Sequence, residues 1–231
     1  MMRRYLLIFI AATGVIALTQ AQDTSVSLRE RAEASPDGRH VTILPANSAP
    51  SYPDLEKITH LSTGVITGTA VSNRTRLSAD GNFINTIYTV TVQNVLKGQG
   101  LRPGGQIKVS LPGGRYGFKT PDGREAYAEV RTPWFKKMEN GKTYYLFLTV
   151  LSAEARTEDD LQVSPAVVLG TTGGPQGVFE VVGGVVKSNS GRLRDPAWQY
   201  HNLPMDTFAG LIRDSLTRDP VCSAPQVSCA H

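Results

Sequence analysis

The residues from Gly113 to Thr120, GGRYGFKT, come closest to a catalytic motif in this chain. A phosphate-binding loop needs a lysine directly after its last glycine and a helix after that, because the loop N–H groups and the helix N-terminus hold the phosphate together. Here a phenylalanine separates the last glycine from Lys119, and the Asp122-Gly123 pair that follows indicates a turn. We therefore predict that a strand ends at Gly113-Gly114, that a glycine-rich loop follows, and that no helix begins at Lys119.

The remaining ionisable residues match no known catalytic spacing. The four histidines form no H-x-x-x-H pair, the chain has no G-x-S-x-G motif, and the acidic run TEDD at 157–160 is typical of a solvated loop. The glycines of GTTGGPQGVFEVVGG precede a strand pattern and not a helix, which indicates turns. We predict no catalytic, cofactor-binding or metal-binding residues, and a dispersed Ser/His/Asp arrangement stays open.

The aromatic cluster in TPWFKKMENGKTYYLF could stack nucleic-acid bases if it lay in a basic groove. The charge balance argues against such a groove. Residues 1–21 hold two of the 24 basic residues and none of the 20 acidic ones, which leaves 22 against 20. We therefore predict no nucleic-acid partner, and we interpret Tyr144, Leu146 and Leu148 as core residues.

The N-terminal segment indicates export, and this affects the interpretation of the cysteines near the other end of the chain. Arg3 and Arg4 precede an apolar run from Leu6 to Leu18 that is shorter than the roughly 20 residues needed to span a bilayer. We predict a signal peptide over 1–21 and a periplasmic or extracellular protein without stable membrane insertion; a retained anchor is the alternative. In an exported protein, the only two cysteines, Cys222 and Cys229, favour a disulfide over free thiols or a metal site.

From about Leu55 the chain has the period-two pattern of short β-strands separated by glycine turns. Strands are predicted in STGVITGTAVS, FINTIYTVTVQNVLKG, QIKVSLP, ENGKTYYLFLTVL, LQVSPAVVLG, GVFEVV and VVKS. Val95-Leu96 breaks the alternation, which indicates either a bulge or the end of the strand. One helix is predicted in LPMDTFAGLIRDSLTRDP, with Asp206 as its N-cap and Phe208, Leu211, Ile212 and Leu216 as its apolar stripe. The predicted fold is mainly β: an antiparallel OB-like barrel or sandwich with one C-terminal α-helix.

This pattern divides the chain into four parts. They are the signal peptide 1–21, a mostly flexible segment 22–54 with room for one strand at HVTILP, a β-barrel domain with its C-terminal helix over 55–216, and a tail 217–231 with the disulfide.

Four segments follow one another in a familiar order: TIYTVTVQNVLKG, GGQIKVSLPGG, PWFKKMENGKTYYLFL and GPQGVFEVVGGVV. In this order the chain resembles a group of bacterial exported domains that are similar in pattern to netrin-like modules, the OB-type barrels that include the tissue inhibitors of metalloproteinases. The resemblance covers roughly Leu55 to Leu216 and brings no catalytic residues. Those inhibitors chelate the protease zinc through a cysteine at the mature N-terminus, whereas this chain would start near Gln22, so the resemblance does not imply that mechanism.

The prediction for function is a non-catalytic exported β-domain that acts as a binding or accessory module for a protein or small ligand. The candidate partner-binding loop contains Gly113, Gly114, Arg115, Tyr116 and Phe118. Two alternatives stay open: an exported hydrolase with a dispersed active site, and a protease inhibitor that acts through loops such as Gly113 to Pro121. The hydrolase would need a histidine beside a carboxylate or hydroxyl in a pocket, and exposed, unpartnered His60 and His201 would count against it.

Overall fold

The structure is a computed structural model that describes residues 26–78, 80–151, 168–192 and 194–218. The predicted signal peptide, the TEDD run at 157–160 and both cysteines of the predicted disulfide lie outside these residues. Within them, no helix is both long and apolar enough to cross a membrane.

Three α-helices and ten β-strands are found in the described ranges. The helices are α1 Leu28–Ala34, α2 Leu55–Leu61 and α3 Met205–Thr217. The strands are β1 Arg39–Ile43, β2 Gly64–Leu77, β3 Ile84–Lys97, β4 Gln106–Pro112, β5 Gly114–Lys119, β6 Glu125–Arg131, β7 Thr143–Val150, β8 Val168–Thr171, β9 Val178–Val182 and β10 Val185–Ser188. Short 3-10 helices cover Ala46–Ser48, Gly174–Gly177 and Pro196–Tyr200.

Seven strands form the larger sheet in the order β10-β9-β7-β2-β3-β4-β8. A further pairing of β7 with β8 closes five of them, β7-β2-β3-β4-β8, into a hydrogen-bonded ring. Every neighbouring pair in the ring is antiparallel except β4 and β8, which run parallel. The predicted mainly β fold with a C-terminal helix is confirmed, as is the bulge: Val65 pairs with Lys97 and Ile66 with Val95, which leaves Leu96 without a partner in this ladder.

Alternate residues of the ring strands build the main core. Ile66, Tyr88, Val90, Val109 and Leu146 are buried in one apolar cluster, as the period-two pattern predicts. The chain between β6 and β7 adds further buried residues to this cluster: Trp134, Phe135 and Met138. The predicted core positions Tyr144, Leu146 and Leu148 are all buried, which confirms the structural interpretation of the aromatic run.

A second core lies where α2 and α3 pack against the large sheet. The centre of the Phe208 ring lies 4.7 Å from the centre of the Phe179 ring and 5.1 Å from that of the Tyr145 ring. Ile212 is fully buried. Two details of the helix prediction are wrong. Leu211, predicted in the apolar stripe, is 37% exposed. Pro204 occupies the N-cap in place of Asp206, which lies in the first turn, where a negative charge interacts favourably with the helix dipole.

The smaller sheet has the order β1-β6-β5, with β1 parallel to β6. The prediction of a mostly flexible segment over 22–54 needs correction in its described part, because α1 and β1 both form there and the sheet crosses the boundary predicted at residue 55. The local signal was present: Ser27 and Glu30 form a capping box at the start of α1. The added strand at HVTILP is confirmed as β1.

The segment at Gly113 links the two sheets. Strand β4 ends at Pro112, as predicted, and a turn, not a helix, follows Lys119. The predicted glycine-rich loop is wrong, because Gly114–Lys119 forms strand β5. Gly113 (φ +92°) and Gly114 (φ +144°) adopt conformations that favour glycine, and a Cβ at Gly113 would lie 2.9 Å from the Val130 carbonyl oxygen. The two glycines therefore turn the chain directly from one sheet into the other.

Glu180 on β9 is a buried acid held by two lysines. Its carboxylate bonds Lys136 Nζ and lies 2.9 Å from Lys142 Nζ. Burial alone would raise the pKa of Glu180, but the hydrogen bonds and charges of the two lysines outweigh it, and the net shift of the pKa is downward. This arrangement stabilises the folded state at every pH at which the Glu180 carboxylate is ionised.

We expect Glu180→Gln to lower the free energy of unfolding by about 2 kcal/mol at pH 7. Because the folded pKa is depressed, the stabilisation is complete above the ordinary carboxyl pKa of about 4.3 and is lost as the pH falls through the lower folded value. Urea denaturation from pH 7 to pH 3 should therefore show the variant and the parent converging in acid. Glu125→Gln, whose side chain is exposed, is the matched control, and an equal gap at all pH values would contradict the prediction.

Candidate functional site

A cleft of about 770 Å³ opens at one side of the ring, between the ends of β4 and β8. Its lining comes from six parts of the chain: the segment before α2, the last residue of α2, the β2–β3 hairpin with the start of β3, the end of β4, the end of β7 and the chain from β8 into the following 3-10 helix. The described lining residues are Ser48, Ala49, Pro50, Tyr52, Leu61, Ser78, Asp80, Phe83, Asn85, Ser110, Pro112, Thr149, Leu151 and Gly170 to Gly174. Apolar groups with a few polar ones are the usual composition of a ligand site.

The cleft begins where the ladder between β4 and β8 stops. The two strands pair at Lys108 with Val168 and at Val109 with Leu169, and no later pair joins them among the described residues. Strand β4 nevertheless continues to Pro112 and β8 continues to Thr171. The ring is therefore open beyond Val109, and both free strand ends line the cleft.

The direction of the peptide groups at this opening follows from the neighbouring ladders, because alternate residues of an antiparallel pair exchange hydrogen bonds. Gly113 N–H donates to Ile84 C=O (2.8 Å), so the peptide groups of Ser110 point away from β3. Thr172 N–H donates to Phe147 C=O (2.8 Å), so those of Thr171 point away from β7. Both residues thus direct backbone groups toward the opening.

One backbone hydrogen bond is missing where the ladder between β4 and β8 stops. In a parallel ladder with Val109 opposite Leu169, the next bond would run from Thr171 N–H to Ser110 C=O. That bond lies just beyond the last paired residues. One donor and one acceptor of the backbone therefore face each other across the cleft.

A buried polar network fixes the side of the cleft that contains Tyr52, which is called the Tyr52 wall below. Gln176, which is fully buried, accepts a hydrogen bond from Tyr52 N–H (2.7 Å) and donates to Asp195 Oδ1 (2.9 Å). Asp195 also accepts from Ala197 N–H (2.9 Å) and from the Ser190 hydroxyl. The network joins the segment before α2 to the turn after β8, which fixes the position of Tyr52.

Two glycines let this wall pack closely. Gly173 (φ +70°) and Gly174 (φ +60°) have left-handed backbones. A Cβ at Gly173 would lie 3.0 Å from the Tyr52 ring, and a Cβ at Gly174 would lie 2.8 Å from Ala49 Cβ. Side chains at these positions would push the wall outward, so the glycine run after β8 shapes the cleft.

Asp80 is the only charged side chain among the described residues that line the cleft. It lies in the β2–β3 hairpin, where the predicted Asp80-Gly81 turn is confirmed. Hydrogen bonds from the Ser78 hydroxyl and from Asn82 lower the pKa of Asp80, so the carboxylate is ionised at neutral pH. The cleft therefore has a negative rim on its hairpin side.

The predicted partner-binding residues do not form one surface. Tyr116 packs into the core beneath the smaller sheet, and Arg115 lies on the opposite face, with its guanidinium 3.2 Å from Glu129 and 4.2 Å from the centre of the Tyr127 ring. Phe118 lies under the Arg29 guanidinium at 5.0 Å. Gly113 and Gly114 form the link between sheets. None of the five lines the cleft, and the proposed inhibitory loop from Gly113 to Pro121 is largely strand.

Three histidines can be placed. His40 Nε2 lies 3.0 Å from Thr42 Oγ1 on β1, and burial, with a smaller effect of Arg31, lowers the pKa of His40. His201 stacks on Trp198 at 4.6 Å, and burial lowers the pKa of His201. The buried His60 Nε2 and His201 Nδ1 contact no hydrogen-bond partner among the described residues. No histidine lines the described cleft, and the described residues contain no cluster of three potential metal ligands.

Sequence reasoning missed the residues that shape the cleft. Asp195-Pro196 has the pattern of an N-cap followed by proline, which marks a helical turn, but nothing local indicates that its carboxylate reaches Gln176. Ser110 and Thr171 resemble ordinary strand residues. Their role depends on which strands become neighbours.

Comparison with known proteins adds no family assignment. No protein-family model matches the chain, and no curated protein is significantly similar to it.

Proposed function

We propose that this protein is a non-catalytic exported binding module and that the cleft between β4 and β8 is its ligand site. The observation that carries the proposal is the cleft itself: about 770 Å³, lined mainly by apolar groups and bounded by two strand ends that direct backbone groups into it. The export signals and the resemblance to netrin-like modules are expectations from the sequence that agree with this role.

The hydrolase alternative has less support. Its one candidate pair, His40 and Thr42, lies on the smaller sheet, and neither residue lines the cleft. His60 and His201 meet no carboxylate or hydroxyl among the described residues. A general base must reach the proton that it removes in a bound substrate, and the described lining of the cleft contains no histidine that could do so.

A cleft-filling substitution tests the proposal. Asn85→Trp, at the start of β3, places an indole where the cleft opens, whereas Gln93→Trp places one on the exposed part of the same strand. The immobilised parent chain is incubated with the concentrated exported fraction of the source cells. A retained component is then purified, and its affinity for each variant is measured by calorimetry.

We expect Asn85→Trp to weaken binding at least tenfold and Gln93→Trp to leave it within about twofold, since about 1.4 kcal/mol of lost contact is a tenfold change. Circular dichroism checks that both variants fold. Equal affinity of the component for the two variants would mean that the binding site lies elsewhere, and conversion of the component into a product would favour an enzyme.

A further inference from the structure

We infer that the ligand of the cleft is an extended peptide, one peptide group of which completes the interrupted ladder between β4 and β8. The inference rests on the proposed function and adds the chemical class of the ligand. It follows from the backbone groups at the opening, from the walls beside them and from the charge at the rim.

The backbone groups at the opening are complementary to a single peptide group. Thr171 N–H offers a donor and Ser110 C=O offers an acceptor on opposite sides of the cleft. A trans secondary amide has its C=O and N–H pointing in opposite directions. One peptide group can therefore accept from Thr171 and donate to Ser110, which replaces the bond that the ladder lacks by two bonds through the ligand.

Strand β4 presents an edge rich in hydrogen-bond acceptors to the cleft. Pro112 has no N–H, and its ring lies on the side of β4 that does not bond β3, as expected for a proline on a sheet edge. Its carbonyl oxygen points the same way as that of Ser110, because the two residues are two apart in one strand. The edge therefore has more acceptors than donors, and it favours an extended ligand whose N–H groups two residues apart point to the same side.

The side chains that line the cleft favour a peptide with both apolar and basic residues. Pro50, Tyr52 and Phe83 give the cleft apolar walls, and Asp80 places a negative charge at the hairpin side. Among the described lining residues no cation balances this charge. A peptide with an apolar residue beside the bridging amide and a lysine or arginine toward the hairpin matches both features.

The experiment uses a random phage-displayed dodecapeptide library selected on the full chain. Selected peptides are synthesised, and their affinities are measured by fluorescence anisotropy. Each peptide is then remade with a single N-methyl group at every position in turn. We expect the N-methyl group at the position that donates to Ser110 to weaken binding at least tenfold, because it removes that donor, and N-methyl groups at positions outside the cleft to change binding less than threefold.

Protein variants give a second readout. Thr171→Pro removes the donating N–H without touching the ladder with β7 and should weaken binding at least tenfold, while Asp80→Asn should reduce the preference for basic peptides and its salt dependence. If Thr171→Pro fails to fold, the N-methyl scan on the parent protein still shows whether a backbone N–H of the peptide is needed for binding. Asn85→Trp should abolish peptide binding, and Gln93→Trp should not.

Three results would overturn the inference: no peptide selected above background, a flat N-methyl scan, or binding unchanged by Asn85→Trp. These failures are distinct from failure of the proposed function. If the exported component still binds in a way that Asn85→Trp abolishes, the cleft remains the binding site and only the peptide assignment falls. If that binding is also unaffected, both fall.

Discussion

Replacement of Gly177 by alanine should destabilise the protein by about 3 kcal/mol. Gly177 is buried at the end of the 3-10 helix that leads into β9. A Cβ at this position would lie 2.4 Å from the Thr172 carbonyl oxygen and 3.1 Å from the Phe147 carbonyl oxygen. Both are backbone atoms, so no side-chain rotation can relieve the contact.

The two carbonyl groups that the new methyl group would contact belong to Thr172 and Phe147, and a hydrogen bond between these residues shapes the cleft. Thr172 N–H donates to Phe147 C=O, which holds the turn after β8 against β7. Moving the turn away from the new methyl group would lengthen this bond and shift Thr171. We therefore expect Gly177→Ala to weaken ligand binding as well as folding, measured by urea denaturation and by the binding assay on the folded fraction.

Gly210→Ala is the matched control for this substitution. Gly210 lies within α3, and apart from its own helix no atom of the described residues lies within 4 Å of a Cβ placed there. Alanine in the middle of a helix is more favourable than glycine by about 1 kcal/mol, so this variant should be slightly more stable than the parent. If both alanine variants were equally stable, the packing around Gly177 would be looser than described.

Replacement of Asp195 by alanine should destabilise the protein by about 3 kcal/mol. The substitution leaves three buried donors without their acceptor: the Gln176 amide, the Ser190 hydroxyl and Ala197 N–H. Each is far from solvent, so water cannot readily replace the carboxylate. Because Gln176 also fixes Tyr52, the cleft wall should lose its position at the same time.

Thermal and urea denaturation measure the loss of stability, and the affinity of the cleft ligand reports on Tyr52. Asp214→Ala, an exposed aspartate on α3, should change the free energy of unfolding by less than about 0.5 kcal/mol. Asp195→Asn should cost less than the alanine variant, since its amide oxygen keeps one acceptor. A variant Asp195→Ala with parent-like stability would mean that the network contributes little.

The strands of the ring were predictable because their signals are local. QIKVSLP becomes β4 over the predicted residues, and the glycine turns at Asp80-Gly81, Asn140-Gly141 and Gly183-Gly184 all lie between strands. Period-two alternation and the turn preference of glycine act within a few residues, so they can be read along the chain.

Strand β5 was missed for an equally physical reason. Its alternation places Tyr116 and Phe118 on one face, but Gly114 and Gly117 suggested a loop. A glycine beside another sheet can be required by close packing instead of by a turn. A Cβ at Gly114 would lie 2.7 Å from Thr75 Cγ2, a contact with a strand about 40 residues earlier in the chain.

The sequence by itself determined the β-rich class of this protein, the positions of most ring strands and the C-terminal helix, because these depend on side-chain periodicity and turn residues. Only the tertiary structure decided where the cleft lies. Ser110 and Thr171 are about 60 residues apart, and they face each other because β4 and β8 pair for two residues and then separate. No local pattern encodes that separation, since it results from the way five strands close into one ring.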